Sequence, residues 1–189
     1  MSPSASTCSA VGERKFVAIP ERYRWAVDIL DVQADDVILE IGCGYGHSIP
    51  LICENLSTGS LTAIDRSEKM IAAATLSNEE FVSSGKADIL HQDLLDGAQS
   101  SGHFDKIFLF NINVFWMDPK SELAEIRRLL NPNGRFFLFH QPPPGHDLDE
   151  FENAFRLNLQ KYDFSLIGNF KDLSDPIRSV AMIAKPNPQ

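Results

Sequence analysis

The sequence has few cysteines and no long hydrophobic run, and each shortage excludes a class of protein. Its three cysteines, Cys8, Cys43 and Cys53, show no C-x-x-C spacing and no companion histidine pattern, so no zinc site is predicted. No apolar run approaches the roughly 20 residues that span a bilayer, and the first residues lack the pattern of a secretory signal. We therefore expect free thiols, no metal, no membrane contact and a cytoplasmic location.

Positive charge is also scarce. The chain has 17 Lys and Arg against 26 Asp and Glu, which gives a formal net charge of −9 at pH 7. Such a surface repels nucleic-acid backbones and anionic lipid. Nucleic acid is therefore not expected as a partner.

The pattern along the 189 residues predicts one domain. We expect a flexible tail over residues 1–14, a domain over 15–185 and a second flexible tail over 186–189. Apolar runs alternate with helical patterns, which is typical of an α/β protein built around a mostly parallel sheet.

Strands and helices are assigned from these runs and their end signals. We predict strands at 37–41, 61–65, 87–91, 105–111 and 135–140, with two closing strands at 164–170 and 178–184. Helices are predicted to begin at Pro20, at Ile49, after an N-cap at Ser67, after an N-cap at Asp118 with Leu130 on the buried side of its helix, and after Gly145.

The stretch E-I-G-C-G-Y-G predicts a ligand loop between the first strand and the next helix. A dinucleotide fingerprint would require glycine at position 47, where the chain has His47. Glu40 stands two residues before Gly42, and its charge would repel a pyrophosphate in a site of low dielectric. The loop also lacks the Lys-Ser/Thr pair of a P-loop. A ligand with a cationic end is therefore favoured.

Three further polar residues follow the next strands. Asp65 closes the second strand, where a carboxylate can accept hydrogen bonds from ribose hydroxyls. Asp93 follows the third strand, near the expected position of an adenine amino group, and Asn111 ends the fourth. Because the carboxyl ends of parallel strands share one edge of a sheet, we expect Glu40 and these three side chains to face a single crevice.

Several motifs together resemble those of class I S-adenosylmethionine-dependent methyltransferases, over residues 20–185. They are E-I-G-C-G-Y-G, A-I-D-R-S-E-K-M, H-Q-D-L, F-D-K-I-F-L-F-N and the helix-turn-strand L-A-E-I-R-R-L-L-N-P-N-G-R-F-F-L-F, in which Asn133 stands where a glycine is commoner. The resemblance implies a Rossmann-like, doubly wound, mostly parallel seven-stranded sheet with helices on both faces and an antiparallel last strand. It also implies S-adenosyl-L-methionine as the cofactor.

The resemblance assigns cofactor contacts residue by residue. It implies that Glu40 and the loop residues Gly42, Cys43 and Gly44, with Asn111, hold the methionine end, that Asp65 and Arg66 bind the ribose and adenine edge, that Met70 covers the ring face, and that Asp93 and the Leu94 amide bind adenine.

Methyl transfer demands little of the protein beyond alignment, so few catalytic residues are expected. His140, at the end of the fifth strand, is the candidate general base, and the alternative is a histidine that packs a strand end. Arg22, Tyr23 and Arg24 either close over the cofactor or an anionic substrate, or form a solvated helix face.

The expected acceptor is a small molecule, with a protein substrate as second choice. The Asn-Pro-Pro-Tyr type signature of enzymes that methylate base amino groups is absent, since the fourth strand continues N-I-N-V. A non-catalytic S-adenosylmethionine-binding module or partner subunit stays open as an alternative, and so does a homodimer. An NAD(P)-linked oxidoreductase is disfavoured by the missing glycine at position 47.

Overall fold

A computed structural model of the protein describes residues 18–96 and 103–188. The strands are β1 Val37–Ile41, β2 Ser60–Asp65, β3 Ala87–His91, β4 Phe104–Phe110, β5 Leu130–His140, β6 Phe164–Asp172 and β7 Ser179–Pro186. The helices are α1 Glu21–Leu30, α2 Ile49–Cys53, α3 Glu68–Ser77, α4 Glu79–Ser83, α5 Lys120–Leu129 and α6 Leu148–Lys161, with 3₁₀ turns at Leu94–Asp96 and Asn113–Trp116.

Within the described residues, seven strands form one sheet in the order β3-β2-β1-β4-β5-β7-β6. Neighbouring strands from β3 to β5 are parallel, whereas β7 is antiparallel to both β5 and β6. The predicted mostly parallel sheet with an antiparallel last strand is confirmed. The direction of winding reverses between β1 and β4, which is where an open α/β sheet leaves a crevice.

Two apolar clusters cover the two faces of the sheet. On one face, Ala26 and Leu30 of α1 pack with residues of α2. On the other face, buried side chains of α5 and α6 join alternate residues of the same strands. In β1, for example, Ile38 belongs to the first cluster and Leu39 to the second, because successive side chains of a strand point to opposite faces.

The predicted N-cap at Asp118 is wrong. Helix α5 begins at Lys120 after Pro119, and no side chain from the described residues caps its amino end. The Asp118 carboxylate instead accepts hydrogen bonds from Lys161, at 3.1 Å, and from the Tyr162 hydroxyl, both at the end of α6. A cationic partner from a distant helix thus replaces the local bond that the sequence predicts.

The predicted helical position of Leu130 is also wrong, because this residue begins β5. It pairs with Phe104 of β4, and the register then shifts before Lys106 pairs with Arg135. The segment N-P-N-G lies inside this irregularity, which explains why only 135–140 has the pattern of a regular strand.

Other boundaries differ by a residue or two. Ser67 is the N-cap of α3 as predicted, and its hydroxyl accepts from the Met70 amide at 3.4 Å. Strand β4 ends one residue before Asn111, whose φ of 58° breaks the extended conformation. Strand β7 continues to Pro186, and the Asn187 amide donates to the Asp163 carbonyl at 2.9 Å. The predicted tail over 1–14 lies outside the described residues.

Candidate active site

A crevice of about 380 Å³ opens at the carboxyl ends of β1, β2, β3 and β4. It is lined by Ile41, Gly42, Ile64, Asp65, Arg66, Gln92, Asp93, Leu94, Asn111, Ile112, Asn113, Val114, Phe115 and Glu122. The structure therefore brings together six of the predicted cofactor residues at one place, drawn from four strand ends and the loops that follow them.

The glycine loop after β1 satisfies its own amide groups. The amides of Gly42 and Cys43 both donate to the Ile64 carbonyl, at 2.8 and 3.0 Å, and the Gly46 amide donates to the Cys43 carbonyl at 2.9 Å. The Gly44 amide donates to the Asp65 carboxylate at 2.9 Å. Loops that cradle a diphosphate leave such amides free for phosphate oxygens. Four engaged amides argue against a phosphate ligand here.

Asp65 is held in place by the backbone on both sides. One carboxylate oxygen accepts from Gly44, and the other accepts from the Ser67 amide at 2.8 Å. A carboxylate offers about four acceptor sites, so two remain for a ligand. Because Asp65 also lines the crevice, it presents an oriented pair of acceptor oxygens there.

Glu40 does not line the crevice, in contrast to the prediction that four polar side chains face it together. It is 2 % exposed and points to the α1 and α2 face of the sheet, where the Ser48 hydroxyl donates to its Oε1 at 2.5 Å. Its Oε2 is buried and has no hydrogen-bond partner among the residues that the structure describes. Burial raises the pKa of Glu40 to about 8, although the bond from Ser48 opposes this shift, and the charge of Asp65 adds to it.

The raised pKa changes the charge that Glu40 contributes beside the glycine loop. A carboxyl with a pKa of about 8 is mostly protonated at neutral pH until a cation approaches it. In the ionised form of Glu40, a buried oxygen without a donor is costly. A cationic N–H group would supply that donor and stabilise the ionised form.

Gln92 lines the crevice beside Asp93 and was missed by sequence reasoning. Its Nε2 is buried and has no hydrogen-bond partner within residues 18–96 and 103–188, although the residue lines the opening. Its place immediately before Asp93 in H-Q-D-L was the available signal. Asp93 itself organises a turn, since its carboxylate accepts from the Leu95 amide at 3.1 Å and its amide donates to Asp96 at 2.9 Å.

The other predicted residues lie around this opening. Cys43 is 5 % exposed and belongs to the apolar cluster of α1 and α2, and burial raises the pKa of its thiol. Met70 is half-buried in the first turn of α3. Asn111 lines the crevice, and its Oδ1 accepts from the Gln141 amide at 2.8 Å.

His140 is enclosed by aromatic rings rather than exposed in the crevice. Its ring lies 4.4 Å from Trp116, 4.2 Å from Phe151 and 6.2 Å from Phe155, measured between centroids. Neither ring nitrogen has a hydrogen-bond partner in the described part of the chain. Burial lowers the pKa of His140 to about 4, so the imidazole is neutral at physiological pH.

Neither a metal site nor a membrane-spanning helix is found among residues 18–96 and 103–188. Within that part of the chain, no group of three or more His, Cys, Asp or Glu side chains could hold a metal ion. The same residues contain no helix that is long and apolar enough to cross a membrane.

Comparison with known proteins identifies the family. Residues 38–134, which are 97 of the 189 residues, match the family model described as a methyltransferase domain. The chain belongs to this methyltransferase family. The match spans the glycine loop, β2 with Asp65, β3 and β4, and it confirms the predicted class I S-adenosylmethionine-dependent methyltransferase, with S-adenosylmethionine as the cofactor.

Named relatives agree with this assignment. The methyltransferase is 31 % identical over 125 residues to a Bacillus subtilis protein, YrhH, which carries a methyltransferase name, and the match covers 66 % of this chain and 68 % of the relative. It is 32 % identical over 104 residues to the ubiquinone biosynthesis O-methyltransferase of Aromatoleum aromaticum, covering 53 % of this chain and 42 % of that protein.

Solved structures show the same fold at low identity. A SAM-dependent methyltransferase from Aquifex aeolicus superposes with a TM-score of 0.70 at 16 % identity. The match covers 86 % of the present chain and 88 % of the Aquifex chain. Magnesium protoporphyrin IX methyltransferase from Synechocystis, crystallised with bound SAM, superposes with a TM-score of 0.64 at 19 % identity. The match covers 88 % of the present chain and 77 % of the Synechocystis chain.

Proposed function

We propose that the methyltransferase transfers a methyl group to a nucleophilic O, N, C or S atom of a small molecule. The observation that carries this proposal is the crevice with Asp65 oriented beside a glycine loop whose amides are already engaged. The net charge of −9 disfavours nucleic acid as the acceptor. Among the relatives, the O-methyltransferase of ubiquinone biosynthesis carries the name of a small-molecule pathway.

The residues on the adenosine side fit the cofactor by their hydrogen-bonding capacity. The free acceptor sites of Asp65 suit the ribose hydroxyls, with Arg66 beside them. Asp93 can accept from the adenine amino group, and the Leu94 amide and the unpartnered Nε2 of Gln92 can donate to ring nitrogens.

The residues on the methionine side fit a cationic end. Glu40 would bind the ammonium group through its otherwise unpartnered oxygen and would give up its proton as the cation binds. Gly44 has a φ of 54°, and apart from Gly44 and its two chain neighbours no atom of the described residues lies within 4 Å of the place where a Cβ would stand, so the loop leaves room for a ligand. Gly42 and Asn111 complete this side of the crevice.

When bound, S-adenosylmethionine supplies an electrophilic methyl group on a sulfonium sulfur. The protein has to align the acceptor with the methyl–sulfur bond, and such alignment contributes about 7–11 kcal/mol in well-oriented systems. The acceptor's lone pair forms the new bond to carbon, and the electron pair of the broken bond stays on sulfur.

His140 is proposed as the group that takes a proton from the acceptor when the acceptor arrives protonated. Its neutral imidazole has a free acceptor nitrogen and no competing partner. Trp116 and Phe151, both half-buried, flank it and would admit the planar part of an acceptor. The relative dryness of this site strengthens a hydrogen bond formed there.

Replacement of His140 by alanine should lower turnover by about 10²-fold and leave the affinity for S-adenosylhomocysteine unchanged, because a base whose pKa is about 4 gives the lower end of the usual range. His140→Phe, which keeps the aromatic packing, should lower turnover as much. Steady-state rates and calorimetric binding would measure the two effects. Turnover by His140→Phe equal to that of the original protein would remove the base role.

The acceptor class can be tested by release of S-adenosylhomocysteine from S-adenosylmethionine. We expect turnover with members of a panel of small phenols, thiols, amines and carboxylic acids, and none with total RNA or with unfolded protein. Turnover confined to RNA or protein would contradict the small-molecule proposal. If S-adenosylhomocysteine binds but no substrate of any class is turned over, the non-catalytic module is the better description.

A further inference from the structure

A carboxylate without a partner lies at the crevice, on the helix that follows β4. Glu122 stands in the first turn of α5, is half-buried and lines the crevice. Among the residues that the structure describes, it has no hydrogen bond and no ion pair, although Arg66 lines the same crevice. Glu125, one turn further along α5, pairs with Arg128 at 2.7 Å. Glu122 is therefore the acid of α5 whose oxygens are open to a ligand.

Packing brings this carboxylate to the segment that is proposed to bind adenine. Helix α5 contacts the 3₁₀ turn Leu94–Asp96. Leu123, which follows Glu122 directly, belongs to the same buried cluster as Leu94. Asp93 and Leu94 line the crevice together with Glu122. The structure thus joins the first turn of α5 to the end of the crevice that Asp93 and Leu94 form.

The amino group of adenine needs more acceptor capacity than Asp93 alone offers. This amino group carries two N–H donors, and a donor that is buried without a partner weakens binding. One carboxylate oxygen of Asp93 already accepts from the Leu95 amide at 3.1 Å. The ionised Glu122 side chain has acceptor oxygens only, and the positive end of the α5 dipole favours its negative charge. Glu122 can therefore supply the second acceptor.

We propose that Glu122 accepts a hydrogen bond from the amino group of adenine and thereby selects a 6-aminopurine nucleoside over a 6-oxopurine one. A 6-oxopurine has a carbonyl oxygen in place of the amino group, and a carboxylate repels it because neither group can donate a hydrogen bond. The inference rests on the proposed adenosine contacts of Asp93 and Leu94. It adds to them a residue that lies outside the sequence motifs shared with the methyltransferase family.

The test is a calorimetric titration with S-adenosylhomocysteine and with S-inosylhomocysteine, its 6-oxopurine analogue. Glu122→Met keeps the length of the side chain and removes both oxygens. We expect it to weaken S-adenosylhomocysteine by about 10- to 100-fold without weakening S-inosylhomocysteine. Glu122→Gln keeps one acceptor oxygen and gains an amide donor. It should recover part of the affinity for S-adenosylhomocysteine and bind S-inosylhomocysteine more tightly than the unaltered protein does.

The matched control is Glu125→Met, which removes a charge from the same helix and should keep the full preference for S-adenosylhomocysteine. An unchanged preference in Glu122→Met would overturn the role of Glu122 and leave the proposed contacts of Asp93 standing. Equal weakening of both ligands would also overturn it, because the amino group would then not be what Glu122 recognises.

Two further outcomes are decisive. If Glu122→Met does not fold, Glu122→Gln decides alone, and an affinity for S-inosylhomocysteine equal to that of the unaltered protein contradicts the inference. If the unaltered protein binds the two ligands equally well, the proposed adenine contacts fail, and the role of Glu122 fails with them.

Discussion

Asp65→Ala should abolish the stabilisation of the methyltransferase by S-adenosylhomocysteine. A ligand at 100 times its dissociation constant stabilises a folded protein by about 2.7 kcal/mol, and that increment should disappear. The reason is that Asp65 lines the crevice with both oxygens oriented by backbone amides, so its remaining acceptor sites are fixed for the ribose. Thermal unfolding with and without the ligand measures the effect.

The control for this experiment is Asp88→Ala. Asp88 is an exposed residue of β3. Its replacement by alanine removes the same charge as Asp65→Ala without changing the crevice. The Asp88→Ala protein should keep the full ligand-induced shift. NAD should shift none of the three proteins. Survival of the S-adenosylhomocysteine shift in Asp65→Ala would refute the ribose assignment.

Glu40→Gln should stabilise the ligand-free protein increasingly as pH rises. Below pH 4.5, Glu40 is protonated in both the folded and the unfolded chain, so its ionisation has no effect on stability. Between pH 4.5 and about 8, the unfolded chain ionises while the folded one stays protonated, and stability is lost. One pKa unit corresponds to about 1.4 kcal/mol, so the loss is on the order of several kcal/mol.

Denaturant unfolding at pH 5, 7 and 8.5 would measure this difference. The gain of Glu40→Gln over the unaltered protein should be small at pH 5 and largest at pH 8.5. Glu54→Gln, on the exposed surface at the end of α2, should give no such pH-dependent gain. A gain that is the same at all three pH values would contradict the buried, protonated carboxyl.

The same variant should weaken the binding of S-adenosylhomocysteine. An ammonium group beside Glu40 favours its ionised form, so binding near pH 7 should release a proton from the unaltered protein and none from Glu40→Gln. Calorimetry in buffers with different ionisation enthalpies would report that proton. Equal proton release by the two proteins would separate Glu40 from the ligand's cationic end.

Much of the architecture followed from local patterns. Strands 37–41 and 87–91 have the predicted bounds. Both lie between turns and have few residues that favour another secondary structure. The Ser67 cap was predictable for the same reason, since its bond reaches only three residues along the chain. The short helix α4 and the two 3₁₀ turns were not predicted, because segments of three to five residues give too little periodicity.

The candidate site was predicted in part. Asp65, Asp93 and Asn111 share one crevice because strand ends of a parallel sheet meet at one edge. Glu40 was expected beside them, but it is the last residue but one of β1. Because successive side chains of a strand point to opposite faces, the Glu40 side chain lies on the α1 and α2 face of the sheet, where it contacts Ser48. Distance along the chain does not show on which side of a loop a side chain lies.

The sequence by itself determined the alternating strands and helices, the glycine loop and the acids at the strand ends, since each depends on neighbours a few residues away. Only the tertiary structure decided that Glu40 is buried, with one oxygen that has no partner among the described residues, and that aromatic rings enclose His140. Burial and pairing depend on residues far apart in the chain, and desolvation by those residues sets the charge of each group.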